Sequence, residues 1–160
     1  MSRSLLLDTN LLVVFVVGLT DRGEIGKHKR TRDYTPEDFD RLLVEMNKYQ
    51  ELWVTSQTVA ECSNLIRQTH STLAERLMQT LSNLVSKISE SNMSSRDLFT
   101  ESCALTLGVT DAGIAKKSKR VTKLLTADLD LYLEVSQKYG NAINFNHIRT
   151  GAWALGGAGS

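Results

Sequence analysis

The sequence predicts an α/β fold in which a short, mostly parallel β-sheet of four to five strands is flanked by helices. Apolar segments of strand length alternate along the chain with longer segments of helical periodicity, the pattern of βαβ units. The chain has 160 residues, the size of one domain. We therefore expect one domain over residues 1–150. Residues 151–160, rich in Gly, Ala and Ser, are expected to form a flexible tail.

The strands are predicted from short apolar segments. The first consists of three leucines between Ser4 and Asp8, as expected of a strand buried on both faces whose next residue emerges at the carboxyl edge of the sheet. The four predicted strands are residues 5–7, 52–55, 123–126 and 142–145. The serine-rich stretch 89–95 is predicted to be a loop.

The predicted helices fill the intervals between these strands. Thr35 and Pro36 mark the clearest start, with a Thr cap, Pro at the first helical position and an acidic residue three after the cap. Ser56 and Thr110 are expected to cap two later helices, and Gly108 and Gly140 to end two others. The predicted helices are residues 11–19, 36–49, 56–66, 73–88, 97–107, 111–117 and 129–139. The first is rich in valine, a poor helix former, so a strand is the alternative there.

Composition narrows the class of protein. Apolar residues make up 41% of the chain, which is typical of an ordinary globular domain. The longest apolar run, residues 11–17, is far shorter than the roughly 20 residues that span a bilayer, and no signal-peptide pattern opens the chain. We therefore expect a cytoplasmic protein that does not enter a membrane.

Cys62 and Cys103 lack the spacing of a zinc site or a disulfide framework and are expected in the core. The three histidines, His28, His70 and His147, share no ligand spacing and are expected at the surface or in loops.

Four acidic residues stand out by their position. Asp8 follows the first predicted strand and Asp128 the third, Glu61 lies in the first two turns of a helix, and Asp111 opens another helix. Each is at or just beyond the carboxyl edge of the predicted sheet, so the four can converge although they are far apart along the chain. Carboxylates brought together repel unless cations or protons neutralise them. Because all the ligand atoms would be oxygens, Mg²⁺ or Mn²⁺ fits such a cluster better than zinc.

Each of these acids also has a purely structural interpretation. Asp8 and Asp128 stand where they could cap the following helices, because short side-chain oxygens accept hydrogen bonds from a first turn. Asp111 could act on the dipole of its own helix. Glu61 could be a solvated charge on a helix face.

Several short motifs, in this order, resemble the PIN domain family of metal-dependent nucleases, in particular the small ribonuclease toxins of prokaryotic toxin-antitoxin pairs. They are Leu-Leu-Asp-Thr-Asn (6–10), Thr-Val-Ala-Glu (58–61), Gly-Val-Thr-Asp-Ala (108–112), Leu-Leu-Thr-Ala-Asp-Leu-Asp-Leu (124–131) and Ile-Asn-Phe-Asn (143–146). The likeness extends from residue 5 to about residue 148. The loop 21–32 and the helix after it are longer and more basic than in the smallest members, which bears on substrate choice.

The resemblance implies a site and a reaction. Asp8, Glu61, Asp111 and Asp128 would hold Mg²⁺ or Mn²⁺, and RNA would be cut by in-line attack that leaves a 5′-phosphate and a 3′-hydroxyl. Asp130 matches a further acidic residue that some members of the family carry, but it could equally be an ordinary surface acid. Asn10 and Thr126 match polar residues that support the metal site in the family. The resemblance also implies an antitoxin protein as partner, and a homodimer is an open alternative.

Basic residues cluster in two segments. They are Lys27, Lys29, Arg30 and Arg32 in the first and Lys116, Lys117, Lys119 and Arg120 in the second. Such clusters are often only solvated faces, but beside a metal-binding acidic pocket they are expected to contact the phosphates of RNA. The function predicted from the sequence is therefore a metal-dependent endoribonuclease. One alternative is a phosphatase-type enzyme with Asp8 as nucleophile, although such enzymes generally have a second acidic residue at the position occupied here by Asn10. The other alternative is a non-catalytic RNA- or protein-binding module.

Overall fold

The central feature of the structure is a parallel β-sheet. The computed structural model describes residues 2–158, with side chains up to residue 151. Five strands are found within these residues: β1 (Ser4–Leu7), β2 (Glu51–Thr55), β3 (Ser89–Ser91), β4 (Lys123–Thr126) and β5 (Ala142–Asn144). They form one sheet in the order β3-β2-β1-β4-β5, and every neighbouring pair is parallel. The predicted fold class is confirmed.

The central strand, β1, is buried on both faces. Leu6 of β1 is opposite Trp53 of β2 and Leu124 of β4, and its three leucines have no exposed surface. This burial is the reason that the strand reads as an uninterrupted apolar run. The edge strand β3 was predicted to be loop. It is short and polar, Ser-Glu-Ser, and only its pairing with β2 makes it a strand.

Helices cover both faces of the sheet. Their bounds are α1 (Thr9–Thr20), α2 (Pro36–Met46), α3 (Ser56–Ile66), α4 (Ser71–Val85), α5 (Ser95–Leu98), α6 (Ala104–Leu107), α7 (Val109–Ser118), α8 (Leu129–Tyr139) and α9 (Phe145–Ala158). A short 3₁₀ turn, Arg22–Glu24, follows α1. The predicted capping box at the start of α2 is present, because Thr35 and Asp38 each accept a hydrogen bond from the other's backbone N–H.

The structure corrects several predicted helices. The single helix predicted over residues 97–107 is two short ones, α5 and α6, separated by a turn. The helix predicted from Asp111 begins at Val109, and its N-terminal cap is Gly108 instead of Thr110. The N-terminal cap of α3 is Thr55 instead of Ser56, because the side chain of Thr55 accepts the hydrogen bond from the N–H of Thr58. The valine-rich segment is helical and not a strand: α1 is buried from Leu11 to Gly18, so packing outweighs propensity. The backbone of α9 is helical through residue 158, into the predicted tail, and residues 159–160 lie outside the described residues.

The core is divided between the two faces of the sheet. Leu5 and Leu7 pack with α1 on one face, and Leu6 packs against residues of α7 and α8 on the other. Close packing of α1 on α2 depends on Gly18, since a Cβ at that position would overlap the ring of Phe39. The buried positions of both cysteines agree with the prediction.

One histidine, His28, lies in a loop as predicted but is buried. His28 is 3% exposed. Its Nε2 lies 3.0 Å from the carbonyl oxygen of Ile66, and its Nδ1 accepts a hydrogen bond from the backbone N–H of Arg30. The imidazole therefore links the loop 21–32, which contains the first basic cluster, to the C-terminal end of α3. His70 and His147 are exposed, as predicted.

Among residues 2–158, no helix combines the length and the apolar character needed to cross a bilayer.

Candidate functional site

The four acids singled out in the sequence line one cavity of about 290 Å³ at the carboxyl edge of the sheet. Its walls are formed by Asp8, Thr9, Asn10, Glu61, Leu107, Gly108, Val109, Thr110, Asp111 and Asp128. A larger cavity, about 490 Å³, lies beside β5 and α9 and is lined by other residues, including Lys48 and His147. The structure thus brings Asp8, Glu61, Asp111 and Asp128 to the smaller cavity, where parallel α/β sheets carry their sites.

The most buried of the four is Asp8, which is 3% exposed. It follows β1 directly and is the N-terminal cap of α1, where its Oδ1 accepts a hydrogen bond of 2.6 Å from the Thr9 N–H. Its Oδ2 accepts a hydrogen bond of 2.6 Å from the hydroxyl of Thr126. The capping interpretation of Asp8 is therefore present in the structure. It does not occupy every lone pair, because a carboxylate has about four acceptor positions.

The acid at the end of β4 is tied to Asp8 by a shared neighbour. Thr126, which is fully buried, donates to Asp8 and accepts a 3.0 Å hydrogen bond from the N–H of Asp128. Asp128 in turn caps α8, since its Oδ1 accepts from the N–H of Leu131. The hydroxyl of Thr126 thus sets the position of one acid relative to the other.

The other two acids come from helices. Asp111 is in the first turn of α7 and is partly buried, and Glu61 is in the second turn of α3 and is exposed. α3 contacts α7 and packs closely on α1. The first turns of α1 and α7 and the middle of α3 therefore meet around the cavity.

Two pKa values show how strongly this environment opposes negative charge. Burial raises the pKa of Asp8 from 3.8 to about 6, against the lowering effect of its hydrogen bonds, and the charges of Asp128 and Glu61 add to the rise. Burial and then the charges of Asp8, Asp128, Glu61 and Asp130 raise the pKa of Asp111 to about 7. The acids are thus close enough to repel one another, which is the situation that a cation or proton relieves.

The fit of a divalent cation follows from the donor set. Every ligand atom offered by the four side chains is a carboxylate oxygen. Mg²⁺ and Mn²⁺ prefer oxygen ligands, and their positive charge would offset the negative charge of the carboxylates. Within the described part of the chain, however, no three Asp, Glu, His or Cys side chains stand in an arrangement that would hold a metal ion. The donor chemistry therefore fits such an ion, and ligation would require the carboxylates to reorient toward a common point.

The predicted supporting residues fall in different places. Asn10 is exposed and lines the cavity, whereas Thr126 lies beneath it as the donor to Asp8. Asp130 is exposed in the first turn of α8; its charge contributes to the raised pKa of Asp111, but it is not part of the cavity wall.

Neither basic cluster contributes a residue to the wall of the acidic cavity. Lys27, Lys29 and Arg30 are exposed in the loop that follows α1, and Arg30 contacts Gln68 beyond α3. In the second cluster, Lys116, Lys117 and Arg120 line a groove with residues 91–93. The Nζ of Lys117 lies 3.7 Å from the centre of the Trp53 ring, a cation–π contact. Arg32, Lys119 and Arg120 are exposed.

Two features of the cavity wall were not predicted from the sequence. Thr9 was treated only as part of a motif, yet its buried hydroxyl has no hydrogen-bond partner among the described residues. Gly108 was predicted to end a helix, and it does close α6, but it also begins α7. The sequence signal for this position was a glycine directly after Leu107 and three residues before Asp111.

The fold and the site define an α/β protein with an acidic cavity at the carboxyl edge of a parallel sheet. Neither a family model nor a curated protein matches its sequence. Among solved structures, it is similar to the crystal structure of PAE2754 from Pyrobaculum aerophilum, with a TM-score of 0.54 and 16% sequence identity, over 95% of this chain and 98% of that one. At this identity the likeness shows the fold alone.

Proposed function

We propose that this protein is a metal-dependent endoribonuclease that uses Mg²⁺ or Mn²⁺. The observation that carries the proposal is the convergence of Asp8, Glu61, Asp111 and Asp128 on one cavity, with the pKa values of Asp8 and Asp111 raised to about 6 and about 7. Such a cluster is costly for the fold, and binding a divalent cation compensates that cost. The motif order that resembles the PIN domain family supports the same proposal.

The roles of the chain's own residues follow from their environments. Asp8, held at both oxygens, is the fixed centre of the cluster, and Thr126 aligns it with Asp128. Asp111 and Glu61 complete the set from two helices. When bound, a divalent ion would supply an activated water and offset the charge that develops on the attacked phosphate. The acids need only hold that ion, so a histidine base is not required.

Nucleic acid as substrate is supported by the basic groove. Lys116, Lys117 and Arg120 line it, and a ribose-phosphate backbone is the polymer that neutralises such a surface. The cluster at Lys27 to Arg32 is in the loop between α1 and α2, where it would contact another part of the RNA.

Biological context comes from the resemblance. We propose that the enzyme is the toxin of a toxin-antitoxin pair, with an antitoxin protein as partner, and that it acts in the cytoplasm. A homodimer remains the alternative assembly.

The experiment is cleavage of total RNA by the purified protein in Mg²⁺, Mn²⁺ or EDTA. We expect cleavage with either metal, none in EDTA, and loss of cleavage in Asp8→Asn and Asp128→Asn. Asp33→Asn, which makes the same charge change at an exposed residue, is the matched control and should cut at the wild-type rate. Cleavage by both cavity variants at that rate would refute the proposed site. Absence of cleavage by the wild type under all conditions would refute the proposed function.

A further inference from the structure

The first turn of α7 is open toward the acidic cavity. Its cap, Gly108, has φ 89° and ψ 171°, a conformation that essentially only glycine adopts. Gly108 has no side chain that could accept a hydrogen bond from this turn, and none of the side chains that the structure describes caps α7. The N–H groups of Val109, Thr110 and Asp111 have no acceptor inside the helix, as in any first turn. All three residues belong to the cavity wall.

The two other helices that start at this cavity differ from α7. α1 is capped by Asp8 and α8 by Asp128. Of these three helices, α7 is therefore the one that presents uncapped N–H groups and the positive end of its dipole to the cavity.

A second, independent donor lies on the same wall. Thr9 is 6% exposed, and its Oγ1 is buried with no hydrogen-bond partner in the part of the chain that the structure describes. An unpaired buried hydroxyl costs about 1–3 kcal/mol. Since Thr9 lines the cavity together with Gly108 and Val109, a ligand in that cavity is the group that would pair with it.

These groups share one chemical character, because backbone N–H groups and a hydroxyl can all donate. The non-bridging oxygens of a phosphate are acceptors only, and helix N-termini favour them. We propose that the α7 N-terminus, residues 108–111, and the Thr9 hydroxyl form a phosphate subsite of the cavity. The inference rests on the proposed function and assigns the atoms that hold the phosphate group of the RNA.

The neighbouring carboxylates define when this subsite can fill. Asp8, Asp111 and Asp128 repel an anion unless a cation neutralises them. Phosphate is therefore expected to bind in the presence of Mg²⁺ and weakly in EDTA.

The test is a titration of the ¹⁵N-labelled protein with inorganic phosphate, followed by amide chemical shifts, after saturation with Mg²⁺ alone. We expect saturable shifts at Val109, Thr110 and Asp111 and none in α4, which lies away from the cavity. Thr9→Val should weaken phosphate binding about tenfold, as expected for a hydrogen bond to a charged group. Thr9→Ser keeps the hydroxyl and should bind as the wild type does.

The outcomes separate this inference from the proposed function. Wild-type protein that cuts RNA but shows no phosphate shifts in α7 would overturn the subsite and leave the nuclease proposal intact. Phosphate shifts in α7 without RNA cleavage would support the subsite and refute the nuclease. Equal phosphate affinity in Thr9→Val and Thr9→Ser would overturn the role of the hydroxyl. The wild-type titration decides the main point even if a variant does not fold.

Discussion

Replacement of Asp8 by Asn should change how the stability of the metal-free protein depends on pH. In the folded protein the pKa of Asp8 is about 6, against an ordinary value of 3.8. Because the folded pKa is the higher one, the folded state binds the proton more tightly. The stabilisation from that proton is complete below pH 3.8 and is lost as the pH rises through 6. The total loss is about 3 kcal/mol.

The expected difference between the two proteins follows from these values. Asn cannot ionise, so it avoids this loss, but it offers one acceptor where Asp8 accepts from both Thr9 and Thr126. That mismatch costs about 1 kcal/mol. In EDTA, Asp8→Asn should therefore be about as stable as the wild type near pH 4.5 and about 2 kcal/mol more stable near pH 8.

The assay is urea unfolding of both proteins in EDTA at the two pH values, with Asp33→Asn as the control for an exposed carboxylate. Adding Mg²⁺ at the higher pH should stabilise the wild type and not Asp8→Asn, because the cation replaces the missing proton. Parallel pH dependence of the wild type and Asp8→Asn would show that burial of this carboxyl carries no such penalty, and the reasoning would be wrong.

Three further predictions concern the metal, the core and the basic groove. Mg²⁺ or Mn²⁺ at 100 times its dissociation constant should stabilise the fold by about 2.7 kcal/mol, raising the melting temperature by several degrees, with no zinc requirement; an unshifted melt contradicts this. Gly18→Ala should cost about 1–3 kcal/mol in urea unfolding, because its Cβ would overlap Phe39, whereas Gly26→Ala, which faces open space, should cost much less. Lys116→Gln and Lys117→Gln should each weaken RNA binding and reduce its salt slope by about 0.7; an unchanged slope would make the groove a solvated face.

The parts of the fold that the sequence predicted are those governed by local pattern. The strand before Asp8 and the strand before Asp128 were recognisable because burial on both faces requires continuous apolar residues. Parallel strands share one carboxyl edge, so the residues that follow them had to meet there. That topological rule is sufficient to bring Asp8 and Asp128 together across most of the chain.

Other features depend on contacts between segments that are distant in sequence. The strand β3 has no apolar signal and exists through its pairing with β2. His28 is buried because the end of α3 offers it a carbonyl oxygen. The basic clusters do not line the acidic cavity, since the first is in the loop after α1 and the second is at the end of α7. No local pattern encodes the direction in which a helix or a loop leaves the sheet.

The finest details of the cavity were also decided by tertiary structure. The sequence by itself identified the four acids, because residue type, the strands before Asp8 and Asp128 and the helices that carry Glu61 and Asp111 indicate where they lie. It could not show that Gly108 leaves the first turn of α7 uncapped or that the hydroxyl of Thr9 is unpaired. Hydrogen-bond satisfaction depends on which groups the folded chain brings within about 3 Å of one another. That distance is a property of packing between elements, and only the tertiary structure sets it.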